Sequence, residues 1–258
     1  MEEVSAIDFL KFLSKFTVRN VGDANLQAFG GRPQPGKWLI PDVHYEQFVS
    51  MAMATAPHYF IEKHKDACPS KVILDIDKLT IEPDFTFWGA IFDFTFNSFF
   101  NVEEESERVM LLTSSNTEAS FFYSYHVIFP HIRMDIEKQA GFAMALIKHL
   151  KIFFSSTRWE NHIDLGIYEK KGERGLRMLY SCKDGEEDRM KIPELVIEDT
   201  SGHKEYHPRA EIDESFYTFC SLRLGVESTD TETPLHPSTE EYISEHPNVT
   251  PGWVLKNV

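Results

Sequence analysis

Two segments with helical spacing, set among strand patterns, most constrain the fold of this chain. Residues 85–100 place aromatic side chains three or four positions apart, from Trp88 to Phe99, and residues 135–154 repeat that spacing with aliphatic side chains. Such spacing is typical of a helix that packs one face on a core. Strand patterns surround both segments, at 59–64, 71–77, 109–113, 121–129, 163–168, 176–181 and 193–198. This order predicts an α+β fold, in which helices cover mixed sheets, rather than a doubly wound parallel sheet.

The remaining segments predict a three-part organisation. Residues 5–16 and 44–56 have helical patterns, and the Gly-, Pro- and Asn-rich stretch between them is predicted to be an irregular connection. The strands at 59–64 and 71–77 are expected to pair and to begin the core sheet. We therefore predict a helical lead-in over 1–58, a catalytic domain over 59–224 and an acidic linker or tail over 225–258.

The charge of the chain is uneven. The 258 residues include 41 acidic and 26 basic ones, and the net charge of −15 argues against broad, sequence-independent nucleic-acid binding. Residues 184–258 carry 17 acidic against 6 basic residues, a balance of −11, whereas 148–183 carry 8 basic against 4 acidic ones. The basic segment could supply a local positive track for a nucleic acid strand.

The sequence also predicts where the protein works. No run approaches the roughly 18 apolar residues of a membrane span, and the acidic N-terminus lacks the basic start of a signal peptide. Three widely spaced cysteines fit free thiols in a reducing compartment better than a disulfide framework. We expect an intracellular protein without a membrane partner.

Acidic side chains follow an apolar strand pattern at 72–77. Asp75 and Asp77 are separated by one residue, so on a strand their carboxylates leave the same face about 7 Å apart along it. A shared divalent cation would offset their repulsion and desolvation. The alternative is a strand end at which both acids meet solvent.

Further polar residues follow in a fixed order. Ser124 and His126 share one face of a strand, Asp164 follows Ile163 on another, and a basic hairpin, YEKKGERGLRMLYSCK, comes next. The predicted return strand of the hairpin puts Arg177, Leu179, Ser181 and Lys183 on one face, where Arg177 and Lys183 could reach the same phosphate chain. The alternatives are a core histidine bonded to a backbone carbonyl and an ordinary solvated hairpin.

This order of motifs resembles the archaeo-eukaryotic primase superfamily, and more closely the PrimPol enzymes and the primase parts of primase-helicases from large DNA viruses. The segments that carry the resemblance span about 59–223: YFIEKH, ILDID, SYHVIF, IDLGIY, RGLRMLYSCK and FCSLR. The resemblance implies a primase-like catalytic fold whose RRM-like half carries the third acid.

The resemblance also implies a set of site residues. Asp75, Asp77 and Asp164 would be the catalytic metal ligands for two Mg²⁺ or Mn²⁺ ions. Ser124 and His126 would contact the triphosphate, and Arg174, Arg177 and Lys183 would complete the nucleotide site. Phe122 stands where cellular PrimPols often have a lysine, so one phosphate contact is absent or comes from elsewhere.

The implied function is that of a DNA primase-polymerase domain, which initiates or extends strands on single-stranded DNA from NTPs or dNTPs. A helicase domain or other replication proteins are the implied partners. Two alternatives stay open from the residues alone. One is a catalytically silent nucleic-acid-binding module of a replication complex. The other is a different metal enzyme, such as a phosphodiesterase, or an oxygenase that uses His126 with Asp75 or Asp77.

Two other motifs are weaker. Residues 31–37 match most of a P-loop, but Trp38 replaces the Ser or Thr that would hold magnesium, and two prolines remove backbone donors. Cys182, His203, His207 and Cys220 are zinc-type ligands, yet the cysteines lack the close pairing typical of zinc sites. Neither a P-loop nor zinc is favoured.

Overall fold

The computed structural model describes residues 5–20, 23–28, 35–64, 69–116, 121–168, 175–182, 189–208, 216–227 and 229–239. The helices in these residues are α1 (Ala6–Ser14), α2 (Tyr45–Ala54), α3 (Phe85–Phe94), α4 (Ile136–Phe153) and α5 (Phe216–Cys220). The strands are β1 (Leu26–Ala28), β2 (Gly36–Trp38), β3 (Phe60–Glu62), β4 (Ser70–Leu79), β5 (Val109–Ser114), β6 (Tyr123–Met134), β7 (Leu176–Arg177), β8 (Ile192–Thr200) and β9 (His203–Pro208).

The strands form two antiparallel sheets. One has four strands in the order β2-β1-β3-β7, and the other has five in the order β4-β6-β5-β8-β9. The predicted α+β class is confirmed. The strand pairs among the described residues are antiparallel, so the expectation of mixed sheets is not met there.

The predicted pairing of the strands at 59–64 and 71–77 is wrong. β3 and β4 belong to different sheets, because β3 pairs with β1 and β7 whereas β4 pairs with β6. β1 and β2 lie in the stretch predicted to be irregular, where Gly- and Pro-rich composition hides three-residue strands. β2 also occupies the position at which a P-loop would start its helix. The predicted lead-in thus contributes two strands to a sheet.

The helices α1 to α4 agree with their predicted positions, whereas α5 was not predicted. The Ser5 hydroxyl accepts the backbone N–H of Asp8 at 3.2 Å, which caps α1, and the Asp84 carboxylate caps α3 by accepting the N–H of Phe87 at 2.9 Å. α3 continues as a π-helical turn over Thr95–Phe99, so the helical segment predicted at 85–100 is confirmed.

The core has two apolar clusters. The larger one lies between the five-stranded sheet and the helices α3 and α4, and the smaller one joins α1 and α2 to the four-stranded sheet. On β6, Tyr125 packs on Trp88 of α3, and Phe129 packs on Phe142 of α4. The helices therefore cover the face that carries Tyr125 and Phe129. By strand alternation, Ser124 and His126 project from the opposite face.

A buried polar network connects the two sheets. Glu62 of β3, which is 1% exposed, accepts the Ser221 hydroxyl at 2.6 Å and the backbone N–H of Leu222 at 2.7 Å. The Lys71 ammonium of β4 donates to the carbonyls of Ser221 and Phe219, at 2.7 and 3.1 Å. The segment at 219–222 thereby ties the interior strand β3 of one sheet to the edge strand β4 of the other.

Part of the predicted tail packs on the protein. The backbone N–H of Thr233 donates to the Arg133 carbonyl of β6, and that of Asn101 donates to the Pro234 carbonyl, both at 2.8 Å. Leu235 forms a bridge with Phe100. Residues 240–258 lie outside the described residues. The described part of the tail is thus docked, while the division of the chain into domains stays a prediction.

In the ranges that the structure describes, no helix has the length and apolar character needed to cross a membrane.

Candidate active site

The face of the five-stranded sheet opposite α3 and α4 holds an acid and a histidine in register. Asp75 of β4 lies opposite His126 of β6, and His126 lies opposite Thr113 of β5. Residues directly opposite in antiparallel strands present their side chains on the same face. The Asp75 Oδ1 and His126 Nε2 atoms are 3.8 Å apart, and the two side chains are 16% and 5% exposed. Strand alternation predicts the face of each residue on its own strand, and the register of β4 with β6 brings the two side chains together.

Asp164 reaches this region along the free edge of β4. Its backbone N–H donates to the Asp75 carbonyl at 2.9 Å, and the N–H of Asp77 donates to the His162 carbonyl at 2.6 Å. Ile163 forms an antiparallel bridge with Ile76 between these two bonds. The segment 162–164 therefore covers the edge of β4 that β6 leaves open, and it sets the backbones of all three acids side by side.

The local structure after Asp164 differs from the prediction. Residues 163–168 were predicted to form a strand, but a 3₁₀-helix runs over Leu165–Tyr168. The Asp164 carboxylate accepts the N–H of Gly166 at 2.8 Å, and this local bond favours a turn over an extended strand. The Tyr168 hydroxyl donates to the Ile73 carbonyl at 2.6 Å, which holds the 3₁₀-helix against β4.

β4 is irregular at its acidic end. The pairing with β6 shifts between Ile76 and Leu79, and Lys78 has a positive φ of 60°. A side chain other than glycine is uncommon in this left-handed region. The His162 ring, through its Nδ1 N–H, donates to the Asp77 carbonyl at 3.0 Å and so helps to hold the irregular backbone. Such a bulge changes the direction of side chains at the end of a strand.

The three carboxylates interact electrostatically. Burial, followed by the charge of Asp77, raises the pKa of Asp75 to about 7, and Asp164 acts in the same direction. The positive charges of Lys191 and Arg177 oppose this rise. Burial, followed by the charges of Asp75 and Asp164, raises the pKa of Tyr168 well above its ordinary value. The acids are therefore close enough for the negative charges of Asp77 and Asp164 to disfavour ionisation of Asp75.

The donor chemistry of these acids suits a hard divalent cation. Carboxylate oxygens are the ligands that Mg²⁺ and Mn²⁺ prefer, and a bound cation would relieve the repulsion that raises the pKa of Asp75. In the described part of the chain, no three His, Cys, Asp or Glu side chains are grouped so that they could hold a metal ion. The backbone places the acids together, but their side chains do not converge on one point.

The predicted triphosphate contacts occupy the other flank of β4. Ser124 is half-buried on β6, and its backbone N–H donates to the Asn116 side chain at 2.9 Å. Phe122, at the position of the missing lysine, is 51% exposed. His126 is buried and faces Asp75. The segment 162–164 and β6 thus lie on opposite edges of β4.

The predicted basic hairpin is described only in part. Arg177 lies on the two-residue strand β7, opposite Ile61, and Arg174 and Lys183 lie outside the described residues. A Cβ atom at Gly175 would come within 2.2 Å of the Glu62 carbonyl oxygen, so the close approach of β7 to β3 requires glycine. The predicted return strand over 176–181 is wrong, because β7 ends at Arg177 and Tyr180 has a φ of 58°. The predicted alternation therefore does not continue from Arg177 to Leu179 and Ser181.

Sequence reasoning missed Lys191. Its side chain is 1% exposed, and its positive charge is the first of the two that lower the pKa of Asp75. Its backbone N–H donates to the Ser181 carbonyl at 2.9 Å, and its carbonyl accepts the N–H of Tyr180 at 2.7 Å. The available signal was a single lysine just before a strand pattern, which identifies no partner 116 positions earlier.

A cavity of about 500 Å³ adjoins the acids on the flank away from β6. It is lined by Asp77, Lys78, Glu160, Asn161, His162, Ile163, Asp164, Leu165 and Gly166. Its volume is in the range of small-molecule sites.

Residues 31–195, which are 165 of the 258 residues, match the family model of the C962R protein N-terminal AEP domain. The match includes β4, β6, the segment 162–164 and Lys191. No curated protein matches the chain.

Proposed function

The chain belongs to the C962R N-terminal AEP family of the archaeo-eukaryotic primase superfamily, and from this premise we propose that it carries out template-directed nucleotidyl transfer on single-stranded DNA. Family membership indicates a primase/polymerase-type, nucleic-acid-related function and a nucleotidyltransferase-like enzyme. One observation supports the finer proposal most strongly: the backbones of three acids lie side by side next to a buried histidine, on the face of the five-stranded sheet opposite α3 and α4.

We assign Asp75, Asp77 and Asp164 as the ligands of Mg²⁺ or Mn²⁺, because the superfamily generally uses divalent metals and these side chains offer only hard oxygen donors. Such ions, when bound, neutralise phosphate charge and favour the attack of a hydroxyl group. The protein contributes position: β4 and the segment 162–164 are joined by backbone hydrogen bonds, so the acids cannot move apart without breaking them.

The nucleotide is assigned to the β6 flank. Ser124 can donate its hydroxyl to a phosphate oxygen, and the His126 ring can donate a second hydrogen bond. Arg177, with the predicted Arg174 and Lys183, would add the charge that a triphosphate requires. Phosphoryl transfer asks a protein mainly for positioning and charge stabilisation, and this residue set supplies both.

The template and partners follow from the same proposal. We propose single-stranded DNA as template, NTPs or dNTPs as substrates, and a helicase domain or other replication proteins as partners. The excess of basic residues over 148–183 would offer a track for the template.

The direct test is nucleotide incorporation. The protein is incubated with unprimed and with primed single-stranded DNA, labelled NTPs or dNTPs, and Mg²⁺ or Mn²⁺, and the products are separated by length. We expect template-dependent products on at least the primed DNA. Binding of DNA without any product would favour the silent module, and DNA cleavage without synthesis would favour another phosphodiester enzyme.

A further inference from the structure

The cavity beside Asp77 and Asp164 has no role in the nucleotide site described above. It lies on the edge of β4 that faces the segment 162–164, whereas Ser124 and His126 lie on the β6 edge. In an in-line phosphoryl transfer, the attacking oxygen and the leaving group are on opposite sides of the reacting phosphorus. If the triphosphate occupies the β6 edge, the attacking hydroxyl must therefore come from the side of the cavity.

One cation lines this cavity. Among the lining residues, Lys78 is the single lysine or arginine, and it is exposed. The one glutamate of the lining, Glu160, forms an ion pair with Lys151. Within the described ranges no carboxylate forms an ion pair with Lys78. Its ammonium group is thus available to a ligand. Of the three acidic side chains in the lining, Glu160 is partly neutralised by Lys151, and Asp77 and Asp164 are the proposed metal ligands.

The backbone of Lys78 points to a role for this side chain. A lysine with a φ of 60° is held in an uncommon conformation that glycine would adopt without steric cost. The pairing shift in β4 and the His162 bond to the Asp77 carbonyl maintain this conformation next to the acids. Residues held in sparsely populated backbone regions tend to lie at functional sites, where their direction matters.

We propose that this cavity is the acceptor-strand subsite, which takes the 3′-terminal nucleotide of the primer, and that Lys78 binds a backbone phosphate of that strand. The inference rests on the proposed function, and it adds a place and a phosphate contact for the second substrate. A volume of about 500 Å³ admits one nucleotide. The Asn161 amide and the His162 ring, which also line the cavity, can hydrogen-bond to a sugar or a base edge.

The test measures DNA binding without catalysis. A fluorescent primer–template with a recessed 3′ end is titrated with protein in the absence of nucleotide, and the dissociation constant is followed from 25 to 200 mM KCl. Lys78→Gly removes the cation and keeps a residue that tolerates the positive φ. We expect its dissociation constant to rise about 3- to 10-fold, and the slope of log affinity against log salt to fall by about 0.7 to 0.9, the value for one lost phosphate contact.

Controls separate the charge from the backbone and the primer from the template. Lys78→Arg should keep the wild-type salt slope, and so should Lys15→Gly, which removes an exposed lysine at the end of α1. Primers with neutral methylphosphonates at their last two linkages should weaken wild-type binding. They should weaken Lys78→Gly no further, because the same contact is already lost.

The outcomes distinguish the two proposals. An unchanged salt slope in Lys78→Gly would overturn the acceptor-strand subsite. So would neutral linkages in the template, instead of the primer, that weaken binding by the wild type and not by Lys78→Gly. A wild-type protein that binds primer–template with the expected dependence on Lys78 but incorporates no nucleotide would support the subsite and overturn the proposed catalysis. A protein that binds no primer–template would overturn both.

Discussion

Asp75 and His126 face each other across the β4–β6 pair, with 3.8 Å between the carboxylate Oδ1 and the ring Nε2 atoms. This contact joins the two halves of the proposed site, because Asp75 belongs to the acid cluster and His126 to the triphosphate side. Removing a charge on one side of the contact and a hydrogen-bond donor on the other should therefore have separable effects.

The first prediction concerns the acids. Asp77→Asn and Asp164→Asn should each lower the rate of nucleotide incorporation by at least about 100-fold, because several kcal/mol of metal-derived stabilisation are at stake. The melting temperature should stay equal or rise, because each change removes one charge from a repulsive cluster. Asparagine keeps an oxygen that can accept the N–H of Gly166. The measurements are primer extension and thermal denaturation.

The matched control for the acids is Glu46→Gln, which removes an exposed negative charge from α2, a helix of the smaller core cluster. It should leave extension unchanged. Near-normal extension by either aspartate variant, with Mg²⁺ and with Mn²⁺, would show that the metal assignment is wrong.

The second prediction concerns His126. His126→Ala should raise the Michaelis constant for the incoming nucleotide about 10-fold, the size of one charged hydrogen bond, and should change template affinity little. Steady-state extension gives the first quantity, and a gel-shift titration with single-stranded DNA gives the second. An equal loss of template affinity would contradict the assigned role.

The sequence predicted those features that depend on local periodicity. The helices α1 to α4 follow from apolar spacing and caps, and the contact of Asp75 with His126 follows from alternation on two strands that pair. Strand pairing itself depends on distant residues. Periodicity therefore could not show that β3 and β4 belong to different sheets.

Other features had no local signal. β9, with the sequence HKEYHP, lacks apolar alternation because it is an exposed edge strand, and sequence reasoning missed it. Lys191 reaches the Asp75 region only through the fold. The family resemblance includes the segments YFIEKH and FCSLR, and in the structure Glu62 of the first accepts hydrogen bonds from Ser221 and Leu222 of the second. Part of that resemblance thus reflects a structural tie between the sheets.

The third prediction concerns acid stability. Burial lowers the pKa of His58 to about 4, and burial, followed by the charge of Arg223, does the same for His64. The unfolded chain, with an ordinary histidine pKa of 6.5, takes up protons first. The free energy of unfolding should therefore fall as the pH drops from about 6.5 toward 4, by about 3 kcal/mol for each histidine at most.

Urea unfolding at pH 7.5 and pH 5 measures this effect. Carboxylate ion pairs also weaken in acid, so the informative quantity is the difference between wild type and His58→Gln. Glutamine can still donate to the Ala52 carbonyl, which lies 2.9 Å from the His58 ring, but it does not titrate. The variant should lose less stability between the two pH values than the wild type. Equal losses would show that His58 is not held neutral by burial.

The last prediction concerns the acidic tail. Deletion of 226–258 should lower the melting temperature by about 5–10 °C, because several interactions with the body would be lost and 1 kcal/mol corresponds to about 2–4 °C at this size. Val226 is 1% exposed, Asp230 pairs with Arg133 at 3.0 Å, and Thr233 bonds to the Arg133 backbone at 2.8 Å.

Deletion of 240–258 provides the comparison, because it leaves these contacts in place. It removes three acidic residues and one lysine, so binding of single-stranded DNA should stay equal or strengthen slightly at 10 mM salt, where screening extends over about 30 Å. Its melting temperature should match that of the full chain. If both deletions melted like the full chain, residues 226–239 would contribute nothing to stability, and the linker interpretation would hold for the whole tail. A lower melting temperature for the shorter deletion would instead show that residues 240–258 also pack on the protein.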